Sequence, residues 1–138
     1  MRVLVIDDEP DVLMLCRMNL EFAGHEVLEA SSGEAGLELA LAEQPDVVVL
    51  DLMLPKRDGL AILGDLSSDS STKDVPVIML TAKTHRDEKQ AAWRAGCSEY
   101  VTKPFSPIEL VGLVDRTHRM SRRERSARRK RALDSLED

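Results

Sequence analysis

The sequence predicts a three-layer α/β sandwich in which helices cover both faces of a parallel sheet. Two uninterrupted apolar runs, Val3–Ile6 and Val47–Leu50, are typical of strands that are buried on both faces. Segments with helical apolar spacing alternate with strand-like runs five times along the 138 residues. This alternation predicts right-handed crossovers and a parallel sheet.

The first half of the chain is predicted to form three strands and two helices. Pro10 suits the first turn of the helix that follows the first strand. Residues 25–30 alternate loosely and predict a second strand. Ser31 with Glu34 then matches a capping box for the second helix, and Pro45 ends that helix before the third strand.

The middle of the chain is predicted to form the third and fourth helices on either side of the fourth strand. Asp58 can cap the third helix, and residues 67–74 predict a polar loop. Residues 75–80 predict the fourth strand. Thr84 could cap the fourth helix, which Gly96 can end.

The last strand and helix have clear boundaries at their beginnings. A short fifth strand is predicted at residues 99–102. Ser106, Pro107 and Glu109 then combine an N-cap, a proline at the first helical position and a capping glutamate. Glycine and proline are lacking after Leu113, so we expect this helix to continue through the rest of the chain.

The composition indicates one domain with a single core. The chain is 43% hydrophobic and 32% charged, and its longest apolar stretches are only a few residues. No membrane span or secretory leader is predicted, so we expect a cytoplasmic location. Cys16 and Cys97 have no metal-ligand or CxxC spacing, which favours reduced, packed thiols.

The charge is unevenly distributed along the chain. Residues 1–115 carry 10 Lys and Arg against 21 Asp and Glu, whereas residues 116–138 carry 9 against 4. This basic segment could contact nucleic acid or another anionic surface, form a solvated helix, bridge subunits, or link to an output domain. Aromatic residues and a recognisable DNA-binding module are absent from it, so direct nucleic-acid binding is disfavoured. The solvated or linker interpretation is preferred.

Polar residues follow four of the predicted strands. They are Asp7 and Asp8, Asp51, Thr81 and Lys103. Because parallel strands end at the same edge of a sheet, these groups should converge. Three carboxylates repel one another unless a cation is present, and Mg²⁺ prefers such oxygen ligands. A metal, an ammonium and a hydroxyl together can stabilise a transferring phosphoryl group, with Asp51 as the nucleophile.

The sequence resembles the receiver domain of two-component response regulators, including chemotaxis regulators, over residues 1 to about 118. Any one of the matching elements is weak evidence, but five of them occur in order at compatible separations. They are Val3–Glu9, Val49–Pro55 with Asp58–Gly59, Ile78–Ala82, Ala95–Gly96 and Tyr100–Phe105.

The resemblance implies a flavodoxin-like fold with strand order 2-1-3-4-5, and a receiver at residues 1–118 followed by a basic helical extension or linker at 119–138. It implies that Asp51 accepts a phosphoryl group from a sensor histidine kinase or phosphotransfer protein. Asp8 and Asp51 would bind Mg²⁺, with Asp7 acting mainly through water and Met53 through its backbone carbonyl.

The resemblance also assigns the residues that read the phosphorylated state. Thr81 and Lys103 would contact the phosphoryl oxygens, and a cis peptide is expected before Pro104. Movement of Thr81 would leave space that Tyr100 can fill. The surface of helix 4, strand 5 and helix 5 would then signal to a partner, an output domain missing from this chain, or a second copy in a homodimer.

Two other functions use similar residues. A haloacid-dehalogenase-like phosphohydrolase needs a second acid two residues after its nucleophile, where this chain has Met53. A flavin or nucleotide carrier needs a glycine-rich phosphate loop, whereas acids follow the first strand here. Since neither Met53 nor Lys83 can orient an attacking water, we expect slow self-dephosphorylation of a receiver.

Overall fold

The computed structural model describes residues 1–137, in which five strands alternate with five helices and a sixth helix follows the fifth directly. The strands are β1 (Arg2–Ile6), β2 (Glu26–Ala30), β3 (Val47–Leu50), β4 (Val77–Thr81) and β5 (Glu99–Thr102). The helices are α1 (Pro10–Phe22), α2 (Gly33–Glu43), α3 (Gly59–Ser68), α4 (Arg86–Ala95), α5 (Pro107–Arg119) and α6 (Arg122–Leu136). Among the described residues, none of these helices is both long and apolar enough to cross a membrane.

The sheet has the predicted architecture. All strand pairs are parallel, in the order β2-β1-β3-β4-β5. This confirms the flavodoxin-like α/β/α sandwich. The register pairs Ile6 of β1 with Leu50 of β3, so both strands end at the same level.

Two apolar clusters fill the spaces between the sheet and its helix layers. Alternate residues of each central strand face opposite clusters, so every residue of Val47–Leu50 is buried. Leu4 and Val48 belong to one cluster, whereas Val5 and Val49 belong to the other. This explains the uninterrupted apolar runs of the sequence, because strands covered on both faces have no solvent-facing positions.

Several predicted caps hold, and two are displaced by one residue. Asp58 and Ser106 accept hydrogen bonds from backbone amides in the first turns of α3 and α5. At α2, however, the cap is Ser32, which accepts from the amide of Ala35, and not Ser31. At α4 the predicted cap Thr84 is also wrong, because the helix begins after His85.

The prediction of one continuous final helix is wrong. The backbone at Met120 is extended (φ −71°, ψ 137°), and a new helix begins after Ser121. Ser121 accepts a hydrogen bond from the amide of Glu124 (3.1 Å), and the Glu124 carboxylate accepts one from the amide of Ser121 (2.9 Å). This capping box offers the chain a helix start that competes with continuation of α5.

The basic extension is not solvated all round in the residues that the structure describes, which end at Glu137. Helix α6 packs against α4, with Ala132 buried and Leu136 partly buried against the core. Its arginines at 122, 125, 128 and 129 bond to acids or backbone carbonyls of the preceding domain. Arginine is normally read as solvent-facing, which is why the sequence alone favoured the other interpretation.

Candidate functional site

The site lies where β1 and β3 end side by side. Asp7 and Asp51 follow the paired residues of these strands and are 2% and 3% exposed, whereas Asp8 is exposed. One carboxylate oxygen from each of the three lies within 4.8 Å of the others. The predicted convergence of these acids is therefore present in the fold.

Lys103 supplies the positive charge of the cluster. Its Nζ lies 2.9 Å from Oδ2 of Asp7, 2.9 Å from Oδ2 of Asp51 and 3.2 Å from Oε2 of Glu9. Burial lowers the pKa of Lys103, but the hydrogen bonds to Asp7 and Asp51 outweigh it, so the pKa is raised above its usual value. The ammonium therefore stays protonated beside the acids.

Backbone amides orient the two buried carboxylates. The amide of Glu9 donates to Oδ1 of Asp7, and the amide of Met53 donates to Oδ1 of Asp51, each at 2.9 Å. Burial nevertheless raises the pKa of Asp7, although the amide of Glu9 and the ammonium of Lys103 both lower it. Each acid thus has one oxygen held by an amide and the other by Lys103.

Gly59 allows the backbone after β3 to fold closely under the site. Its amide donates to the carbonyl of Leu52 (2.9 Å). A Cβ at this position would lie 2.0 Å from the carbonyl oxygen of Asp51, which is an impossible contact. Glycine is required here because α3 starts against the backbone of the nucleophile candidate.

Thr81 and Tyr100 form a second set of contacts beside the acids. The Thr81 hydroxyl is fully buried and accepts a hydrogen bond from the amide of Lys83 (3.3 Å). The Tyr100 hydroxyl donates to the carbonyl of Lys83 (2.8 Å). Burial, aided by nearby acids of which Glu88 contributes most, raises the pKa of Tyr100 to about 12.

The predicted site residues fall into these two groups. Asp7, Asp8, Asp51 and Lys103 come together, and Thr81 joins them at the same sheet edge, where its carbonyl accepts from the amide of Lys103 (2.8 Å). The Lys103–Pro104 peptide is cis, as expected.

Sequence reasoning did not assign Glu9 and Gly59 to the site. Glu9 contacts Lys103, and Gly59 permits the close approach of α3. The signal for Glu9 was its place as the third acid after β1. The signal for Gly59 was its position directly after the cap Asp58.

The donor set fits a hard divalent cation. Asp7, Asp8 and Asp51 offer carboxylate oxygens close enough together to share one ion, and exposed Asp8 leaves the cluster open to solvent. Mg²⁺ takes oxygen ligands and keeps several waters, so a few carboxylates at an open edge suit it. The chain therefore contains an acidic pocket of the kind that holds Mg²⁺.

The site and the sheet occur together in one place. A buried aspartate at the end of the central strand lies beside two acids and a lysine, at one edge of a flavodoxin-like sheet. The chain belongs to the response regulator receiver domain family, whose profile matches residues 3–115. It is thus a receiver of two-component signalling and not a classical enzyme.

Relatives of known name are consistent with this assignment. The chain is 43% identical to the DNA-binding dual master transcriptional regulator RpaA of Synechocystis. The alignment spans 113 residues, which are 82% of this chain and 47% of RpaA. It is also 42% identical to the alkaline phosphatase synthesis transcriptional regulatory protein PhoP of Bacillus subtilis. That alignment spans 113 residues, which are 82% of this chain and 46% of PhoP. The chain therefore spans less than half the length of these relatives.

Solved structures share the fold. A putative response regulator from Chloroflexus aurantiacus superposes with a TM-score of 0.81 at 34% identity, covering 86% of this chain and 98% of that one. The chemotaxis response regulator CheY4 of Vibrio cholerae gives 0.79 at 29% identity, covering 84% and 97%.

Proposed function

We propose that Asp51 accepts a phosphoryl group from a phosphohistidine in a Mg²⁺-dependent reaction. The observation that carries this proposal is the environment of Asp51: a 3%-exposed carboxylate, central in the sheet, that shares Lys103 with Asp7. A purely structural acid needs one counter-charge. Here a single ammonium contacts three carboxylates, those of Asp7, Glu9 and Asp51, which leaves negative charge that suits a further cation.

The proposed transfer is a substitution at phosphorus. A carboxylate oxygen of Asp51 forms the new P–O bond while the P–N bond of the donor breaks, and the imidazole leaves with the bonding electron pair. Lys103 and the Thr81 hydroxyl hold the phosphoryl oxygens, where positioning and charge supply most of the rate. The chain thereby assists its own phosphorylation and dephosphorylation without being a classical enzyme.

The proposed metal ligands are Asp8, Asp51 and the backbone carbonyl of Met53, with Asp7 bound through water. When bound, Mg²⁺ neutralises charge on the acids and on the incoming phosphoryl group. The amide of Met53 already donates to Asp51, which brings the backbone of Met53 close to the site.

The proposed switch uses Thr81 and Tyr100. A phosphoryl group on Asp51 offers the Thr81 hydroxyl an acceptor, so the loop after β4 is drawn towards the site. Tyr100 is bonded to that loop through the carbonyl of Lys83 and follows it. The surface formed by α4, β5 and α5 changes as a result.

The proposed partners follow from this role. A sensor histidine kinase or a phosphotransfer protein is the donor, which calls for a cytoplasmic location. An output domain or a second receiver is the recipient at the α4–β5–α5 surface. Helix α6 covers part of that surface, so a homodimer formed there would use the α5 side or displace α6. Direct nucleic-acid binding is not part of the proposal.

The test is intact-mass measurement after incubation with acetyl phosphate and Mg²⁺. We expect the chain to gain the mass of one phosphoryl group, and to lose this ability when EDTA removes the metal. A phosphohydrolase would instead consume acetyl phosphate continuously without lasting mass gain, and a flavin carrier would be isolated yellow. Either of these results would refute the proposal.

Two variants with the same chemical change provide the control. Asp51→Asn should abolish the mass gain. Asp58→Asn should leave it intact, because Asp58 lies outside the cluster and asparagine caps a helix as well as aspartate does. Labelling of Asp51→Asn at the wild-type level would place the phosphoryl group elsewhere.

A further inference from the structure

Helix α6 binds one side of α4 and β5 through a central arginine. Arg128 donates to the Glu99 carboxylate in β5 (2.8 Å), and its guanidinium lies 5.0 Å from the ring centroid of Trp93 in α4. Glu99 is only 16% exposed at its side chain, and Trp93 is 4% exposed overall. The stacked and ion-paired arginine joins both elements to α6.

The middle and the carboxyl end of α6 are also anchored. Arg129, next to Arg128, donates to the carbonyls of Cys97 (3.1 Å) and Gly96 (3.0 Å), at the carboxyl end of α4, where a cation is favourable. At the carboxyl end of α6, Gln90 of α4 donates to the carbonyl of Leu136 (2.9 Å). The docked position of α6 is therefore specified along its length and is not a loose collapse of the chain.

The carboxyl half of α6 lies beside the proposed switch. A cavity of about 230 Å³ separates it from α4 and β5. Its walls include Tyr100, Trp93 and Lys89 on one side and Arg128, Ala132 and Leu136 on the other. Tyr100 thus lines the α6 cavity, and its hydroxyl bonds to the loop after β4.

We infer that the docking of α6 is coupled through Tyr100 to phosphorylation of Asp51, and that phosphorylation weakens the docking of the carboxyl half of α6. This inference rests on the proposed function. In it, α6 is an internal ligand of the α4–β5 face that leaves part of this face when the chain is phosphorylated.

The coupling has two steps. When the Thr81 hydroxyl turns to the phosphoryl group, the amide of Lys83 gives up its 3.3 Å bond to that hydroxyl, and the loop moves towards Asp51. The carbonyl of Lys83 carries the Tyr100 hydroxyl with it. The Tyr100 ring then withdraws from the cavity, and Ala132 and Leu136 lose part of the wall against which they pack.

Coupling between two sites is reciprocal. A variant with weaker α6 docking should therefore be phosphorylated at lower acetyl phosphate concentrations than wild type. Leu136→Ala is suited to this test because it trims a contact at the end of α6 and leaves the receiver core unchanged. Arg123→Ala is the matched control, since Arg123 is exposed and lies in the same helix.

The experiment follows Trp93, the single tryptophan of the chain, and tryptic cleavage after Arg128 and Arg129. The full chain is compared before and after acetyl phosphate and Mg²⁺, with phosphorylation measured as intact mass, and Asp51→Asn is treated identically. We expect phosphorylated wild type to show red-shifted emission and at least about fivefold faster cleavage, the lower end of ordinary coupling strengths. Asp51→Asn should show neither change.

Tyr100→Phe tests the route of the coupling. It keeps the ring in the cavity wall and removes the hydroxyl that bonds to Lys83. We expect this variant to gain the full phosphoryl mass while emission and cleavage stay at their starting values. A response equal to that of wild type would overturn the assignment to Tyr100.

The outcomes separate the two proposals. A chain that gains the phosphoryl mass with unchanged emission and cleavage overturns the coupling alone. A chain that gains no mass overturns the proposed function and, with it, the coupling. Half-maximal phosphoryl mass at a lower acetyl phosphate concentration in Leu136→Ala than in Arg123→Ala supports the coupling, and equal concentrations contradict it.

Discussion

The acidic site and the docked surface of α6 both depend on cationic side chains, but they balance charge in different ways. In the site, one ammonium serves three carboxylates, and Lys103 is only 12% exposed. In α6, four arginines each have their own acceptors, and Arg128 is 36% exposed. The site is therefore short of positive charge, whereas the α6 contacts are locally matched.

This difference separates a reactive arrangement from a structural one. A cluster with excess negative charge gains by binding a cation or transferring charge to a new group. The α6 arginines already have acceptors, so a further ligand would not stabilise them. Each of their partly exposed ion pairs contributes little to the free energy of unfolding. Substitutions in the site should therefore alter chemistry most, and substitutions around α6 should alter docking.

The largest effect is expected for Lys103→Ala. Loss of this ammonium removes one stabilising donor from the phosphoryl oxygens, which should slow phosphorylation by acetyl phosphate about 10²- to 10³-fold. Time courses of intact mass would measure it. Lys73→Ala is the control, because Lys73 is exposed in the loop before β4. A rate within twofold of wild type would remove Lys103 from the reaction.

The next effect concerns the backbone under the site. Gly59→Ala places a methyl group against the carbonyl of Asp51 and should lower the free energy of unfolding by about 1–3 kcal/mol. Gly64→Ala in the same helix meets no atom within 4 Å and should raise it by about 0.4–1 kcal/mol. Urea denaturation would show whether the two changes have opposite signs. Equal effects would mean that α3 does not approach Asp51 this closely.

A smaller effect is expected on the lifetime of the phosphorylated chain. Met53 is half exposed beside Asp51, and the ammonium of Lys83 is held by Glu88 at 3.0 Å. Met53→Asn adds an amide that can orient an attacking water, and one such hydrogen bond of about 1.4 kcal/mol would speed decay about tenfold. Loss of phosphoryl mass after donor removal would measure this. Unchanged decay would show that water access does not depend on position 53.

The smallest effect tests the α6 side of the comparison. Ser121→Ala removes the cap of α6 and should weaken the helix by about 1 kcal/mol. Acrylamide quenching of Trp93 should therefore increase, while phosphorylation by acetyl phosphate continues. Ser126→Ala, at an exposed position within α6, should leave the quenching unchanged or reduced. Equal quenching in both variants would mean that the cap does not support docking.

The fold and the site were predictable for the same reason. Apolar runs of four residues mark strands that are covered on both faces, and the group that follows each run must lie at the edge where parallel strands end. Asp7 and Asp51 are 44 positions apart in sequence, yet the pairing of Ile6 with Leu50 makes them neighbours. Local patterns were sufficient here because the parallel pairing of the strands brings the residues that follow them together.

The docking of α6 could not be predicted in this way. Arg129 of α6 donates to the carbonyls of Gly96 and Cys97, and backbone acceptors leave no trace in sequence. The capping box at Ser121 and Glu124 was a readable signal for the helix break. The packing of α6 against α4, in contrast, depends on the direction that the chain takes after the break at Met120, and no local pattern indicates that direction.

The most direct test of the central claim is to locate the phosphoryl group itself. Borohydride reduction of the chain treated with acetyl phosphate and Mg²⁺ converts an aspartyl phosphate to homoserine, which peptide mass spectrometry can place. We predict homoserine at position 51 and at no other aspartate. Homoserine at Asp7 or Asp8, or its absence from a chain that has gained phosphoryl mass, would contradict the assignment of Asp51.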